Sequence, residues 1–337
     1  MKRKALILAT GLLVCLQGAC EGAGPGSYMS IGTGGTAGIY YPVGGALASM
    51  LSSRFPDRQF TAEVTAASVE NVTRLQQGQI DVGMAITITI LGAYQGTAQV
   101  NEPFEELRIV APLWPNPVNI LVPGDSEIQD FGDVRGQRLG VGAPGSGTEQ
   151  VSRALLDAYG MSYEDVEERF LSFSESSAGI RDGSLDAAVL EVAYPAAAVM
   201  EATTTGDARL LPLEGPEIDA LLEEHPGFFR YTIPSGAYRG VDQDVSTIAE
   251  LNWVIAPESL DGEVVTAILD ILQDERARLV EVNEIVRQIE LERLADPPIP
   301  LHPATEQWVE ENLSLAGGDG TSPSGPGLPA LALEETP

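Results

Sequence analysis

The sequence predicts an α/β protein with largely parallel sheets, because short apolar strands alternate with amphipathic helices along most of the chain. Helices are indicated by apolar residues that fall on one helical face, as Val43, Leu47 and Met50 do. The predicted strands are residues 28–32, 60–64, 82–86, 108–113, 118–122, 138–141, 169–173 and 187–190. The predicted helices include residues 69–77, 148–159, 176–181 and a late amphipathic helix around 264–272. Residues 114–117 separate two of the strands, because their two prolines cannot continue a helix.

Length and charge exclude several classes of protein. The chain has 337 residues, with 49 acidic and 19 basic side chains and a formal charge of −30. Its apolar content of 44% is enough for a core in one large domain or two ordinary ones. Such a charge argues against a nucleic-acid partner and against adhesion of the folded surface to an anionic membrane. Two cysteines near the N-terminus allow neither a disulfide framework nor a cysteine zinc cluster.

The two ends of the chain are predicted to lie outside the fold. Residues 1–19 combine a basic start with an apolar run too short to span a bilayer, which is typical of a signal peptide. The alternative for this segment is a buried N-terminal helix. The residues before Cys20 are similar to a bacterial lipobox, with Gln17 where leucine is usual, and predict lipidation at Cys20. Residues 20–27 then form a linker and 317–337 a disordered Gly/Pro-rich tail.

These signals predict an exported protein, periplasmic or at the cell surface, whose membrane contact is the lipid on Cys20. Export argues against a protein that needs ATP or NADH, and we expect no cofactor. With two histidines in the chain, we also expect no transition-metal site.

Two glycine-rich turns, residues 32–38 and 142–148, each join a predicted strand to a helix. A helix start has unpaired N–H groups and a partial positive charge, and glycine lets an anion approach them closely. The bland alternative is that the glycines only make tight turns. Residues 75–83 and 180–188 are weakly similar in sequence, and each follows one of the two turns, so the turns occupy equivalent positions. This favours two lobes that bind one small anion between them.

Other motifs were weighed against this one. Residues 32–37 are similar to a dinucleotide fingerprint, but Glu63, the nearest acid for a ribose, lies too far along the chain. Neither turn ends as a P-loop does. Ser146 is not in a nucleophile elbow, although a hydrolase that uses Ser146 with His225 or His302 stays open. For His302 a structural role is the better prediction.

At these turns the chain resembles the TAXI family, the extracytoplasmic solute receptors associated with TRAP transporters. The resemblance covers about residues 28–312 and departs from the family pattern at residues 85–90 and at Ala304. The segments that carry it are residues 31–45, 65–71, 111–118, 134–148, 182–187, 232–238 and 301–304.

The resemblance implies a type II periplasmic-binding-protein-like fold, with mixed, mostly parallel sheets in two lobes and a hinge cleft. Lobe I would comprise residues 28–118 and 252–316, and lobe II residues 119–251, with crossings near 117–120 and 247–253. It also implies a protein that is not an enzyme and delivers a small carboxylate, such as glutamate or 2-oxoglutarate, to the TRAP permease in the membrane. A ligand-sensing subunit for a membrane kinase is an alternative.

Carried over by position, the resemblance implies a ligand site that both lobes share. Tyr194 and Glu191 would contact an ammonium group. The purely structural alternative is packing for Tyr194 and a helix N-cap for Ser68. The remaining implied site residues are Thr33, Gly35, Thr36, Gly38, Tyr40 and Asn71 in the first lobe, Asn116 and Asn119 by the crossing strand, and Gly145, Ser146, Gly147 and Thr148 in the second lobe.

Overall fold

The computed structural model describes residues 27–97, 102–205 and 207–313. The predicted signal peptide, Cys20, the linker up to residue 26 and the C-terminal tail lie outside the described residues. No helix in the described part of the chain is both long and apolar enough to cross a membrane.

The described residues form a mixed α/β fold. The strands are β1 (Ser27–Gly32), β2 (Arg58–Glu63), β3 (Val82–Ile86), β4 (Leu107–Pro123), β5 (Arg138–Gly140), β6 (Glu167–Arg169), β7 (Ala187–Glu191), β8 (Ala208–Leu211), β9 (Phe229–Ile233) and β10 (Val245–Pro257). The α-helices are α1 (Tyr40–Arg54), α2 (Ser68–Gln76), α3 (Thr87–Gln95), α4 (Gly147–Ala158), α5 (Phe173–Asp182), α6 (Ala197–Thr205), α7 (Pro216–Glu224), α8 (Gly262–Asp274), α9 (Arg276–Val280) and α10 (Pro303–Asn312). Short 3₁₀ turns lie at Phe131–Val134, Tyr163–Asp165, Glu284–Gln288 and Leu291–Ala295.

The ten strands join in the order β2-β1-β3-β10-β4-β7-β5-β6, with β8 beside β4 and β9 beside β10. Strand β1 pairs parallel with β2 and β3, and β5 pairs parallel with β6 and β7. The long strands β4 and β10 pair antiparallel with each other and with their neighbours. Helices cover this sheet, and their buried apolar faces form the core with it. The predicted α/β class is confirmed.

Two strand–helix units have the same plan. We call residues 27–86 the first unit and residues 138–191 the second. In the first, Asp81 exchanges two bonds with Ser30 of β1: its Oδ2 accepts from the Ser30 N–H at 2.7 Å, and its N–H donates to the Ser30 carbonyl at 3.0 Å. In the second, Asp186 makes the same pair with Arg138 of β5, at 2.9 and 3.0 Å. The sequence similarity between residues 75–83 and 180–188 therefore corresponds to a structural repeat.

The long strands change partners between the units. Strand β4 lies beside β10 as far as Pro117 and beside β7 from Val118 onward. Strand β10 lies beside β9 up to Ala249 and beside β3 from Asn252. Both changes fall where the sequence predicts crossings between lobes, and the lobe boundaries themselves stay a prediction.

The predicted break at residues 114–117 is wrong, because β4 runs unbroken through it from Leu107 to Pro123. Proline fixes a φ that suits an extended strand, although it cannot donate to the ladder. Pro115 and Pro117 face Leu251 and Ala249 of β10, and the ladder has a register shift next to Leu251. The two prolines forbid a helix here, but they do not end a strand.

The predicted strand at residues 169–173 is also wrong after its first residue, Arg169. Strand β6 ends at Arg169, and α5 begins at Phe173. Ser172 and Glu175 form a capping box, in which each side chain bonds the other residue's main-chain N–H. This cap starts the helix three residues before the predicted Ser176.

Candidate ligand-binding site

A cavity of about 130 Å³ lies between the two units, where their glycine-rich turns and helix starts face each other. Most of the predicted site residues line it: Gly35, Gly38, Tyr40, Ser68, Asn116, Ser146, Gly147, Thr148 and Glu191. The remaining lining residues were not predicted: Gly34, Ile39, Thr65, Ala66, Ala67, Ile86, Trp114, Ala143, Ser172, Phe173 and Val192. The structure therefore brings together both turns that the sequence singled out.

The second turn ends in a capped helix start. Ser146 is the N-cap of α4, and its Oγ accepts a hydrogen bond from the Glu149 N–H at 3.1 Å. Gly142 has a φ of +93°, a left-handed conformation that favours glycine. Gly147 and Thr148 form the first turn of α4 at the cavity wall, so the positive end of the α4 dipole lies beside the cavity.

In the first unit, a second helix start faces the same cavity. Helix α2 begins at Ser68, and its N-cap is Ala67, which has no capping side chain. The structural alternative for Ser68, a helix N-cap, is therefore wrong; the Ser68 Oγ accepts a hydrogen bond from the Ile86 N–H at 3.3 Å instead. Ala67 has a φ of +82°, which is rare and strained for a residue with a Cβ. Strain of this kind is typical of functional sites.

The cleft between the units is closed. The Glu70 N–H in the first turn of α2 donates to the Gly145 carbonyl across the cleft at 3.0 Å. A Cβ on Gly147 would lie 2.6 Å from Ile86 Cδ1 and 2.8 Å from Ser68 Oγ, both in the first unit. A Cβ on Gly38 would lie 3.5 Å from the Phe173 ring in the second unit. Glycine at residue 147 is thus what allows the two walls to meet, whereas a Cβ at residue 38 would be in ordinary contact with the Phe173 ring.

Some predicted site residues lie behind the cavity wall. The Asn71 Nδ2 donates to the main-chain carbonyls of Thr33 and Met84 at 2.7 and 2.8 Å. The Thr33 hydroxyl donates to the Glu63 carbonyl at 2.6 Å, and the Asn119 Nδ2 donates to carbonyls on both sides of the β4–β7 ladder. These side chains hold the strands that carry the cavity.

Three further predicted residues do not line the cavity. Thr36 is exposed in the first turn. Gly145 contributes its carbonyl to the bond across the cleft. The Tyr194 hydroxyl lies 3.5 Å from that of Tyr231, and the two rings are tilted against each other, which fits the bland packing role.

The electrostatics of the cavity differ from those of an ordinary anion site. No Lys, Arg or His is among its lining residues, and Glu191, only 3% exposed, is its one acidic group. Burial, and then the charge of Glu250, raise the pKa of Glu191 well above its usual range. Glu250 is fully buried in β10, and burial raises its pKa to about 8.

Tyr40 belongs to the same polar group. Its hydroxyl donates to Asn252 Oδ1, and the Asn252 Nδ2 donates to the Trp114 carbonyl at 2.8 Å. Burial, and then the Glu191 charge, raise the pKa of Tyr40 well above its usual value. Tyr40 is therefore a neutral hydroxyl at the cavity wall.

The two histidines are engaged away from Ser146. The Nδ1 of His302 accepts from the Ala304 N–H at 3.1 Å, and its Nε2 contacts two carbonyls at 3.0 and 3.1 Å, so its role is structural, as predicted. The ring of His225 packs edge-on against Phe228. Since the Ser146 Oγ caps α4, nothing in the described part of the chain assembles a hydrolytic triad around it.

A second depression of about 590 Å³ lies elsewhere on the surface. Apart from Pro195, its lining comes from the single segment 277–287. Val282 within this segment is exposed, and neither of the two acidic lining residues, Glu281 and Glu284, is buried. It is therefore a surface groove rather than the candidate site.

Several solved structures are similar to this chain at low sequence identity. A structure of a periplasmic transporter has a TM-score of 0.51 and 12% identity, and the match covers 85% of this chain and 93% of that chain. The alkanesulfonate-binding protein SsuA from Xanthomonas axonopodis pv. citri, bound to MOPS, has a TM-score of 0.46 and 20% identity, over 84% of this chain and 83% of that one. A putative L-cystine ABC transporter from Listeria monocytogenes has a TM-score of 0.47 and 12% identity, over 78% and 96%.

At this level of identity the periplasmic transporter shows a common fold and no more. The sequence itself gives the closer relation, because residues 31–312 match the NMT1-like family, and this span includes the cavity, the second unit and all but residues 27–30 of the first. The chain belongs to the NMT1-like family.

Proposed function

We propose that the chain is an extracytoplasmic solute receptor of a TRAP-type transporter, as its resemblance to the TAXI family implies. It binds a small carboxylate between two lobes, performs no reaction, and delivers the ligand to the permease subunits in the membrane. In this proposal residues 1–19 are removed as a signal peptide and a lipid on Cys20 holds the receptor at the membrane.

One observation carries the proposal: the starts of α2 and α4 face one closed cavity from opposite walls. Both helices exceed one turn, and each has main-chain N–H groups of its first turn and the positive end of its dipole at the cavity wall. In this arrangement the α4 side supplies Ser146 and Thr148, and the α2 side supplies Ser68, as hydroxyl partners for the ligand. A carboxylate is satisfied without an arginine.

The size of the cavity supports a small ligand. Its volume of about 130 Å³ is below the ~300 Å³ at which pockets for drug-sized molecules begin. A nucleotide cofactor does not fit, whereas an amino acid or a short organic acid does.

Closure follows from the same contacts. The Glu70–Gly145 main-chain bond and the fit of Gly147 against Ile86 exist only when the units touch. A ligand that contacts both walls stabilises this closed form over an open one, because the open form lacks half of its contacts. The permease then distinguishes loaded from empty receptor by shape.

The test is calorimetry on the mature chain against a panel of carboxylates and amino acids, with small-angle scattering before and after addition. We expect one compound to bind tightly and to reduce the radius of gyration. Ser146→Ala weakens that binding about 10-fold, because it removes a hydroxyl and the cap of α4 at the cavity.

Ser162→Ala is the matched control, because Ser162 also caps a turn, through the Glu164 N–H, but is exposed outside the cavity lining. We expect the Ser162→Ala variant to bind the ligand with the affinity of the wild type. The proposal fails if no compound of the panel binds, or if the protein turns over a compound and Ser146→Ala abolishes the turnover.

A further inference from the structure

Two polar atoms of the cavity lining are buried without a partner among the described residues, and one of them belongs to the Glu191 carboxyl. Glu191 ends β7, lines the cavity and is 3% exposed. Its Oε1 is buried and has no hydrogen-bond partner among the described residues. A buried acceptor without a donor costs free energy and is rare in folded proteins, so its position at a ligand cavity calls for a donor from the ligand.

We propose that Glu191 binds a cationic nitrogen of the ligand, so that the ligand is an α-amino acid rather than an oxo acid or another plain carboxylate. This inference rests on the proposed function and divides its ligand class in two. The ammonium group lies at Glu191, and the carboxylate lies at the helix starts.

The aromatic side chains beside Glu191 fit the same ligand. Tyr40 and Trp114 both line the cavity, and their ring centroids are 6.3 Å apart. Aromatic faces attract cations and offer a plain carboxylate nothing comparable. The indole Nε1 of Trp114 is also buried without an acceptor in the described part of the chain. A zwitterion supplies both the missing donor for Glu191 and an acceptor for an indole N–H.

The charges around Glu191 make binding depend on protons. The titratable groups that face it are Glu250 from β10 and Tyr40 from α1, and neither supplies a positive charge. Asn116 of β4 donates to the Glu191 carbonyl at 3.0 Å and is neutral. Burial raises the pKa of both carboxyls, and no cation among the lining residues offsets this, so the protonated form of each is favoured. An ammonium group next to Glu191 favours the ionised form, so binding displaces a proton into the buffer.

The competing explanation is structural. Two buried carboxyls that share one proton satisfy each other and only hold β7 near β10. In that case, the ligand does not touch Glu191, and binding releases no proton.

The experiment uses pairs of probes that share a carbon skeleton and differ only in an ammonium or a keto group: alanine and pyruvate, leucine and 4-methyl-2-oxopentanoate, glutamate and 2-oxoglutarate. Titration calorimetry at one neutral pH, in two buffers of different ionisation enthalpy, gives both the affinity and the protons released. We expect the best amino acid to bind at least about 10-fold more tightly than its oxo acid and to release a proton that the oxo acid does not.

Glu191→Gln keeps the shape and removes the charge. We expect it to weaken amino-acid binding about 10- to 100-fold, to abolish the proton release and to leave oxo-acid binding within about 3-fold. Glu149→Gln is the matched control, because Glu149 is 2% exposed in the same unit and pairs with Arg153 outside the cavity lining. We expect Glu149→Gln to bind amino acids and oxo acids with wild-type affinities and to release as many protons as the wild type.

The outcomes separate the two proposals. If oxo acids bind as tightly as amino acids, or if binding releases no proton, the role of Glu191 is overturned while the receptor stands. If no probe and no compound of the wider panel binds, the receptor proposal itself is overturned. The wild-type titration decides between these outcomes even if Glu191→Gln fails to fold.

Discussion

The first and second units have the same strand–helix plan, but at one equivalent position they carry side chains of different chemistry. Strands β3 and β7 each have five residues, each begins directly after the aspartate that bonds the neighbouring strand, and they end at Ile86 and Glu191. Both end residues line the cavity. One wall is therefore apolar where the other carries a buried acid, and the difference gives a ligand a defined direction in the cleft.

A second pair shows the same divergence behind the wall. Asn71 and Ser176 are each the fourth residue of their helices, α2 and α5, and each approaches a strand glycine: a Cβ on Gly32 would lie 2.6 Å from Asn71 Oδ1, and one on Gly140 3.2 Å from Ser176 Oγ. Asn71 bonds to main-chain carbonyls, whereas Ser176 Oγ has no partner among the described residues. The first unit thus uses a polar clamp where the second relies on close packing.

The largest expected effect separates these two residues. Asn71→Ala removes a buried amide that donates to the carbonyls of Gly32, Thr33 and Met84, and we expect it to lower the free energy of unfolding by about 3 to 5 kcal/mol. Ser176→Ala removes a hydroxyl that bonds nothing, so its cost stays within about 0.5 kcal/mol. Urea unfolding followed by circular dichroism measures both. Equal costs in the two units would contradict the comparison.

The next effect concerns Ile86 and Glu191. A carboxyl with a raised folded-state pKa holds its proton at pH values where the unfolded chain has lost it. The stability from Glu191 and Glu250 is therefore complete below the ordinary pKa of 4.5 and is lost as pH rises toward about 8, the folded pKa of Glu250. The free energy of unfolding falls by up to about 1.4 kcal/mol per pH unit for each such carboxyl. Glu191→Ile, which copies the first unit, removes one of the two slopes.

Chemical unfolding of the ligand-free chain between pH 5 and pH 8 measures these slopes. Ile86→Val, a small apolar change at the equivalent position, keeps the wild-type slope. A Glu191→Ile chain whose stability falls as steeply as that of the wild type would mean that Glu191 is ionised in the folded protein.

The smallest of the three effects tests where the units meet. Gly147→Val places side-chain atoms against Ile86 and Ser68. Overpacking of this kind costs about 1 to 3 kcal/mol, and it does so only in the closed form, so ligand affinity drops about 10- to 100-fold. Gly45→Ala in α1, where a Cβ meets no atom within 4 Å, is the control. Calorimetry measures the affinity; an unchanged value for Gly147→Val would show that the units bind ligand without touching here.

The sequence predicts the parts of the site that depend on local patterns. Strand β3 is predicted with its observed bounds, because it is short, fully buried and preceded by a glycine turn and an aspartate. Helix α4 is predicted from Thr148, one residue after its observed start at Gly147, but its cap at Ser146 is not predicted. Phe173 was missed because its capping box was assigned to a strand, and Trp114 because the prolines beside it were interpreted as a break.

The long-range part of the site has no local signal. Glu250 lies near Glu191 because β10 and β7 are the strands on either side of β4 in the sheet. No spacing along the chain reveals that strand order. The same holds for Tyr40 and Asn252, whose hydrogen bond joins α1 to β10. The acid at the cavity is visible in the sequence, but the surroundings that raise its pKa are not.

Strands β4 and β10 make the connection between the units stiff. They span 17 and 13 residues and lie side by side as one hydrogen-bonded ladder where each changes partners. We therefore expect the two units to separate mainly by a twist of this ladder rather than by free rotation about single peptides. Such a connection would limit how far the walls part and would favour their return.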